Sequence, residues 1–354
     1  MSGGVDSSVA AALLAEQGHD VIGLSMQLYD VSGSAGGERS FGSCCSIDDL
    51  HDARRVATAI RIPHYILNFE RQFEEHVVSN FVAEYAAGRP PLPCAHCNSD
   101  LKFATLLDRA QGFGAEAVAT GHYARVERSG AGGAYQLKRG VDASKDQSYF
   151  LFALTQAQLA RALFPVGDRP KEAVRAYAHQ RQLPVASKPD SQEICFIPDH
   201  DYAAFITGHS PHAARPGAIT DESGHVLGRH AGIHRFTVGQ RKGLGLSTSP
   251  TGAPMYVLSL QPQDGSVVVG PKSSLERTTL TASGVNWIEG APALPRRCGV
   301  QIRHRHQPAA ATVRVIEDGR AGVLFDAPQI AVTPGQAAVF YDGDVVIGGG
   351  WIDN

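Results

Sequence analysis

Net charge is the first thing this chain lacks. Across 354 residues, 32 Lys and Arg stand against 35 Asp and Glu, a formal balance of −3. That balance excludes a globally polybasic binder of nucleic acid, so any polyanion surface must be local. Cysteine is sparse: six residues, unevenly spaced, which is not the dense pattern of a secreted disulfide framework. No apolar run approaches the ~18 residues of a membrane span, and no secretory signal pattern is found. Internal repeats and long low-complexity tracts are also missing. What remains is an ordinary globular composition, 43% hydrophobic and 19% charged, long enough for two or three domains with buried cores. These absences point to a cytoplasmic protein without a membrane partner, where cysteines are more often reactive or metal-binding than structural.

What is present begins at once. Ser2-Gly3-Gly4-Val5-Asp6-Ser7-Ser8 runs directly into Val9-Ala10-Ala11-Ala12-Leu13-Leu14, small residues followed by a helix-forming apolar segment. Gly3 and Gly4 let a ligand approach the main chain. The amides and hydroxyls of Ser2, Ser7 and Ser8 lie at a helix N-terminus that favours an anion. The Gly-Lys-Ser/Thr of a Walker loop and the GxGxxG of a dinucleotide fingerprint are both absent. The string resembles instead the SGGxDS loop of the ATP pyrophosphatase ("PP-loop") enzymes, which cleave ATP between its α and β phosphates. An ordinary Ser/Gly helix cap is the competing reading.

Downstream, residues 7–17 read as a first helix and 21–28 as a buried strand. A Gly/Ser-rich stretch at 31–43 reads as a loop. Ser46-Ile47-Asp48-Asp49 caps a helix to about residue 60, with acids where the dipole prefers them. Residues 65–69 and 117–120 read as further strands, and helices are expected over 71–86, 99–112, 155–163 and 170–182. This alternation implies an α/β fold with a doubly wound parallel sheet. A buried strand precedes the phosphate loop in such folds, yet only Met1 does so here, so the first strand is expected to be missing from the chain as given. Beyond residue 205, glycine and proline punctuate short β-rich runs (256–260, 266–270, 300–302, 312–316, 322–325, 337–341), the texture of a small barrel or sandwich. The expected division is a catalytic domain at 1–205, a small central domain at 206–272 and a C-terminal β module at 273–354.

The cysteines carry the next signal. Cys94 and Cys97 have CxxC spacing in Pro93-Cys94-Ala95-His96-Cys97-Asn98, and Cys195 lies in Ser191-Gln192-Glu193-Ile194-Cys195-Phe196. With no second CxxC, a structural zinc site has weak support. A cysteine pair plus a distant third fits a redox site, a three-ligand metal or iron–sulfur site, a pair of nucleophiles, or buried inert thiols. Cys298 falls among the β-rich runs and reads as core.

Taken together, the motifs narrow these choices. The 2–8 loop is followed by Cys44-Cys45-Ser46-Ile47-Asp48-Asp49, by Cys97-Asn98 with Leu101-Lys102-Phe103, and by Thr120-Gly121-His122-Tyr123-Ala124-Arg125. Then come Lys145-Asp146-Gln147-Ser148-Tyr149, the Cys195 segment, the run TVGQRKGLG at 237–245, Thr333-Pro334-Gly335-Gln336 and Gly348-Gly349-Gly350. This ordered set covers essentially the whole chain and resembles the bacterial tRNA-specific 2-thiouridylases. The resemblance implies a PP-loop (adenine nucleotide α-hydrolase-like) domain, a central tRNA-binding domain and a C-terminal β-barrel. It implies sulfur transfer to C2 of the wobble uridine in the anticodon of tRNAs for lysine, glutamate and glutamine. ATP is placed on Ser2, Gly3, Gly4, Val5, Asp6, Ser7, Ser8, Met26 and Gly121. Cys195 becomes the persulfide carrier and Cys97 the second catalytic cysteine, able to form a disulfide with Cys195. His122, Lys145, Asp146, Gln147, Arg303, His304 and Gln336 fall where the family contacts tRNA, and Leu92, Pro93 and Cys94 where it meets the target base. A sulfur-relay protein or cysteine desulfurase is implied as persulfide donor. Relatives carry a short strand ending in methionine before the loop, so Met1 is expected to be that internal methionine.

The implied chemistry suits these residue types. The oxygen on uridine C2 is a poor leaving group; transfer of AMP to it makes a good one, with pyrophosphate leaving into the loop. Asp6 is the expected ligand of a Mg²⁺ that shields the phosphates, since hard cations prefer such oxygens. Thiolates are the reactive forms of the cysteines, so a nearby cation helps. Lys102 is the sequence-local candidate, unless it is a solvated helix-surface lysine. One departure matters: some relatives carry Asn-Pro-Asp where this chain has Leu92-Pro93-Cys94, with the Asp as acid/base. Proton transfer by a carboxylate there is unsupported, and three converging cysteines keep an iron–sulfur cluster as an alternative. Cys44 and Cys45 read as structural.

Two acid-free runs supply local positive charge. Residues 223–263 hold Arg229, Arg235, Arg241 and Lys242, and residues 290–316 hold Arg296, Arg297, Arg303, Arg305 and Arg314. Both read as RNA-holding surface, with the histidines among them as polar fillers. The target base must leave the anticodon stack to reach an activating site. Two other readings compete. A PP-loop enzyme amidating a small carbonyl substrate would not need Cys97 and Cys195. An idle RNA-binding protein would not need the intact loop.

Overall fold

A computed structural model of the chain describes residues 1–29, 47–130, 132–190, 194–197, 201–246, 252–317 and 319–353. The expected loop at 31–43, the pair Cys44 and Cys45, and residues 191–193 of the Cys195 motif lie outside the described residues. The chain begins with α1 (Val5–Glu16), β1 (Gly23–Gln27), α2 (Ile47–Ala59), β2 (His64–Asn68), α3 (Glu70–Phe73) and α4 (Ser79–Ala86). It continues through α5 (Pro93–His96), α6 (Leu106–Gln111), β3 (Val118–Ala119), β4 (Ala124–Arg128), β5 (Tyr135–Arg139), α7 (Gln156–Leu159), β6 (Ala162–Leu163), α8 (Lys171–Gln180) and α9 (Tyr202–His209). The rest is β: β7 (Gly217–Thr220), β8 (Val226–His230), β9 (Tyr256–Gln261), β10 (Ser266–Gly270), β11 (Glu276–Trp287), β12 (Arg296–Gln301), β13 (Ala309–Glu317), β14 (Arg320–Ile330), β15 (Ala337–Asp342) and β16 (Val345–Ile352).

These elements form two compact units. The first comprises Met1–Val77, Cys94–His200 and Asp344–Val346. Its parallel pairs are β1–β2, in register from Gly23 with His64 to Gln27 with Asn68, and β3–β6. Helix α1 is buried nearly all round, so its sequence shows an apolar run rather than a stripe. It ends in a Schellman turn, with Gly18 N–H donating to Ala15 and His19 N–H to Leu14. Val5, Val9, Ala12 and Leu13 of α1 share a core with Tyr123, Val166, and Val174 and Ala178 of α8. Met1 is tied to β1: its amino group donates to the Leu24 carbonyl, and its carbonyl accepts from Ser25 Oγ at 2.6 Å.

Two expectations for the helices need correction. The helix expected over 155–163 stops at Leu159, because Ala162 and Leu163 are taken into the parallel pair with β3. The antiparallel hairpin β4–β5 follows the Thr-Gly-His-Tyr run, and Val345 and Val346 pair with β5 at its other edge. The helical stretches expected at 71–86 and 99–112 exist, but each contains wide π-helical turns, Glu74–Val78 and Cys97–Thr105. Such turns recur at functional sites.

The second unit comprises Val78–Pro93, Asp201–Gly343 and Ile347–Asn354. A four-stranded sheet in the order β8-β7-β10-β9 packs Ile219, Val257, Val267 and Val269 against Ile233, Phe236 and Leu244. Helices α4 and α9 meet through Phe81 and Phe205 and through stacked Tyr85 and Tyr202. Strands β11-β14-β13-β12-β15-β16 close into a six-stranded barrel through β11–β16 pairing. Alternation along β13 and β14 puts Ala311, Val313, Ala321, Val323 and Phe325 inside, while Leu324 stays out. Side chains at Gly348 and Gly350 would meet the β11 backbone, which explains the small residues of the Gly-Gly-Gly run.

Candidate active site

The phosphate loop sits at the N-terminus of α1, where Gly4 is the extended N-cap residue and no side chain caps the helix. Its free amides and dipole are therefore open to an anion. Gly3 has φ +68°, and a Cβ there would run into the Asp49 carbonyl at the start of α2. Only glycine satisfies both conditions. Ser2 and Ser7 tie the loop together, with Oγ atoms 3.0 Å apart and Ser2 N–H donating to Ser7 Oγ at 3.1 Å. Ser8 is fully buried and donates to the Gly4 carbonyl at 2.7 Å, and Val5 faces the core. These two can serve a ligand through their backbone, not their side chains. Gly121 presses on the other side: a Cβ there would lie 2.5 Å from Ser7 N and 2.6 Å from the Asp6 carbonyl carbon. Met26 is half-buried in β1, paired with Leu67.

Around the loop runs a charge network that sequence reasoning missed. Lys171, only 8% exposed, donates to both carboxylate oxygens of Asp6 at 2.8 and 2.9 Å and pairs with Asp190 at 2.8 Å. Tyr123 O–H donates to Asp6 Oδ1 at 2.9 Å. Asp190 also receives Lys145 and Arg175. Burial alone would raise its pKa, but the hydrogen bonds and charges of Lys171 and Lys145 outweigh it and hold the carboxyl at about 2. Lys188 reaches the Gly3 carbonyl at 3.1 Å, Asp49 at 2.6 Å and Asp52 at 2.8 Å. Those acids overcome the penalty of its burial and raise its pKa. One signal for Lys171 was legible: a lysine at the first position of α8 opposes the helix dipole. A buried acceptor explains it.

Of the residues at 145–147, Lys145 joins this network and Gln147 accepts from Tyr123 N–H at 3.0 Å. Asp146 is different. Its carboxylate, 5% exposed, accepts from Arg139, from the backbone amides of Gly140 and Ser148, and from Ser148 Oγ. Its oxygens hold the turn rather than face outward.

The cysteine region lies on the same unit. Cys97 opens the π-helical segment and is half-buried, as is Cys195, while Cys94 is exposed. Asn98 anchors the segment, donating to the Phe150 carbonyl at 3.2 Å and accepting from Lys102 at 3.0 Å. Lys102 is thus half-buried and bonded, not a solvated surface lysine. Helix α3 packs on the Cys97 segment, and Phe73 of α3 meets Phe196 edge-to-face at 5.3 Å. One short helix therefore supports both cysteine-bearing segments. His122 lies between Phe103 and Phe164, ring centroids 6.4 and 6.0 Å away, and shares a 2.7 Å hydrogen bond between Nδ1 and Thr120 Oγ1. Burial and then the Lys102 charge push its pKa well below the ordinary histidine range. Among the described residues, no three His, Cys, Asp or Glu side chains are grouped to hold a metal ion.

In the second unit, Leu92 and Pro93 are buried, and Gln336 Nε2 donates to the Pro90 carbonyl at 2.7 Å, fixing that stretch. Arg303 and His304 are exposed on a loop whose carbonyls accept from Gln301. In the basic runs, Arg296 pairs with Asp342 and Arg297 with Asp326, whereas Arg303 and Arg305 lie exposed. His230 and His234 bond to the carbonyls of Gly265 and Ala213. No described helix is long and apolar enough to cross a membrane.

An uncapped helix N-terminus on a parallel α/β layer, with basic side chains beside it, is the arrangement of an anion-binding α/β class, joined in this chain to two β modules. Comparison with known families agrees. Residues 1–199 match the tRNA methyl transferase HUP domain, residues 203–271 the tRNA methyl transferase PRC-barrel domain, and residues 277–352 the aminomethyltransferase beta-barrel domain. Curated relatives match from end to end. The tRNA-specific 2-thiouridylase MnmA of Solibacter usitatus is 53% identical over 370 residues, covering 100% of this chain and 98% of the relative. Its counterparts from Geotalea uraniireducens (51%, covering 100% and 94%) and Acidobacterium capsulatum (53%, covering 99% and 97%) are equally similar. The chain belongs to the tRNA-specific 2-thiouridylase family.

Proposed function

We propose that this chain is an ATP-dependent tRNA uridine 2-sulfurtransferase acting on the wobble uridine of tRNAs for lysine, glutamate and glutamine. The observation that carries the reading is the meeting of the Thr-Gly-His-Tyr run with both halves of the required chemistry. Gly121 abuts the phosphate loop, and His122 packs on Phe103 of the Cys97 segment. The loop amides hold the phosphates of ATP, and uridine O2 attacks the α-phosphorus. The bond to the β-phosphate breaks, and pyrophosphate leaves with the bonding pair. Sulfur bound to Cys195 as a persulfide then attacks C2, and AMP leaves. The sulfane sulfur gains two electrons as Cys97 and Cys195 close a disulfide, which a reductant reopens. A cysteine desulfurase or sulfur-relay protein loads Cys195. The exposed Arg303, His304 and Arg305 hold tRNA phosphates.

The chain offers Mg²⁺ one carboxylate, Asp6, already engaged by Lys171 and Tyr123. That donor set fits an ion held mainly by the nucleotide's own phosphates and water, which is how Mg²⁺ is usually bound; when bound it neutralises phosphate charge. Among the described residues the thiols at 94, 97 and 195 do not fall into a metal-ligand group, which gives an iron–sulfur cluster no support. We place the reaction in the cytoplasm, with module boundaries near residues 205 and 272.

The test is single-turnover transfer of labelled persulfide sulfur, with ATP, to unmodified lysine tRNA. Wild type is expected to thiolate it, and Cys195→Ala and Cys97→Ala each to fail. An inactive wild type, or activity surviving loss of Cys195, refutes the reading.

A further inference from the structure

We infer that His122 is a catalytic residue of the activation step: it takes the N3 proton of the target uridine as O2 is adenylated and returns it when sulfur arrives. This rests on the reading that the chain activates and thiolates a tRNA uridine. The need for such a group follows from the bonds. As O2 bonds to the α-phosphorus, the C2–O bond becomes single and a C2=N3 double bond forms. N3 must then shed its proton, or the ring carries a positive charge. When sulfur attacks C2, the C2=N3 π pair moves to N3, which regains a proton. The C2–O bond then breaks and AMP departs with its pair; Cys97 attacks Cys195 Sγ, and the S–S bonding pair stays on the C2-bound sulfur, which becomes the thiocarbonyl. One site must therefore act first as base and then as acid toward a single ring nitrogen.

Among the described residues the candidates are few. Where relatives can carry a carboxylate before the first catalytic cysteine, this chain has Leu92-Pro93-Cys94. Asp6, the carboxylate of the phosphate loop, is held by Lys171 and Tyr123. Asp100 of the Cys97 segment is bonded to His96 and Ser99. His122 stands where activation must occur, one residue from the Gly121 that touches Ser7 and Asp6, and in ring contact with the Cys97 segment. Thr120 Oγ1 engages Nδ1 at 2.7 Å, which orients the ring and leaves Nε2 for proton transfer. Lys102 is the charged group that acts on the ring, and Phe103, Phe164 and Thr120 are its neutral neighbours. Packing between the two phenylalanines keeps the imidazole neutral at pH 7, the form a base requires, while half-burial leaves an accessible edge. Its conjugate acid is correspondingly strong, which suits prompt return of the proton.

The experiment measures pyrophosphate release from ATP and unmodified lysine tRNA by rapid quench between pH 6 and 9, with tRNA affinity measured in parallel. Wild type should release pyrophosphate at a rate nearly flat from pH 7 upward. His122→Gln should be slower by about 100-fold or more at pH 7, the usual scale of general-base catalysis. Its rate should climb about tenfold per pH unit as hydroxide replaces the lost base, with tRNA affinity within about threefold of wild type. His122→Ala should regain at least about tenfold on addition of imidazole. A His122→Gln rate within about threefold of wild type overturns the inference. So does a loss matched by lost tRNA affinity, with an unaltered pH profile and no imidazole rescue, since that marks a contact or packing residue. A wild-type enzyme that releases no pyrophosphate would instead overturn the thiouridylase reading beneath it.

Discussion

Replacing Lys171 with methionine keeps the length and apolar stem of the side chain and removes one charge. Asp6 then loses two hydrogen bonds, of 2.8 and 2.9 Å, and keeps only Tyr123. Asp190 loses one of three basic partners. Breaking a fully buried ion pair costs about 3–5 kcal/mol, an exposed one about 0–1. The carboxylates here are 31% and 25% exposed, so about 2 kcal/mol is the appropriate scale once solvent screening is allowed for. At roughly 2–4 °C per kcal/mol, Tm of the first unit should fall by about 5 °C. The nucleotide site suffers as well, because the Asp6–Lys171–Asp190 group passes from one net negative charge to two beside a polyphosphate. A shift of about 1.4–2 kcal/mol weakens ATP by about ten- to thirtyfold. Asp190 supplies a pH signature. Its depressed pKa contributes stability that is present above about pH 4 and lost as pH falls toward 2. With Lys171 gone that pKa rises, so less of this stability remains and acid unfolding begins at higher pH. Calorimetric melts, nucleotide titration and acid unfolding of Lys171→Met against Lys171→Arg would measure all three. A Lys171→Met protein with wild-type Tm and wild-type ATP affinity would refute the reasoning.

Three further outcomes follow from particular contacts. Gly121→Ala should raise the ATP dissociation constant at least about tenfold while the protein stays folded, because its Cβ displaces the loop backbone at Ser7 and Asp6. Gly208→Ala, with nothing within 4 Å, is the control that should leave ATP affinity unchanged. Asp146→Asn should destabilise by about 2–3 kcal/mol in denaturant unfolding, since an amide NH₂ would face donors that the carboxylate now accepts. A change in tRNA affinity alone, with wild-type stability, would contradict the turn-holding role. Iodoacetamide at pH 8 should label the exposed Cys94 well before Cys298, whose thiol burial pushes up to about 11. Equal labelling rates by peptide mass mapping would rule this out, and Cys298 should gain reactivity only as pH approaches that value.

The sequence by itself determined what depends on local order. The loop at 2–8 is legible because anion binding at a helix N-terminus needs contiguous small residues and free amides. Membership in the thiouridylase family was legible because its motifs follow one another in a fixed sequence from the loop to the Gly-Gly-Gly run. The strands of the barrel showed as short β-rich runs punctuated by glycine and proline. Tertiary structure alone decided which charges meet. Lys171 and Asp6 are 165 positions apart, and no pattern of spacing couples them. The acid-free run at 290–316 looked uniformly basic, yet Arg296 finds Asp342 on the adjacent strand β15 and Arg297 finds Asp326 two strands away on β14, leaving Arg303 and Arg305 exposed. The resemblance places Asp146 where the family contacts tRNA, and only the fold closes Arg139 and the Ser148 turn around its carboxylate. The physical reason is common to all three: periodicity and propensity act over a few residues, whereas charge pairing and desolvation are set by distances in space that only the folded chain defines.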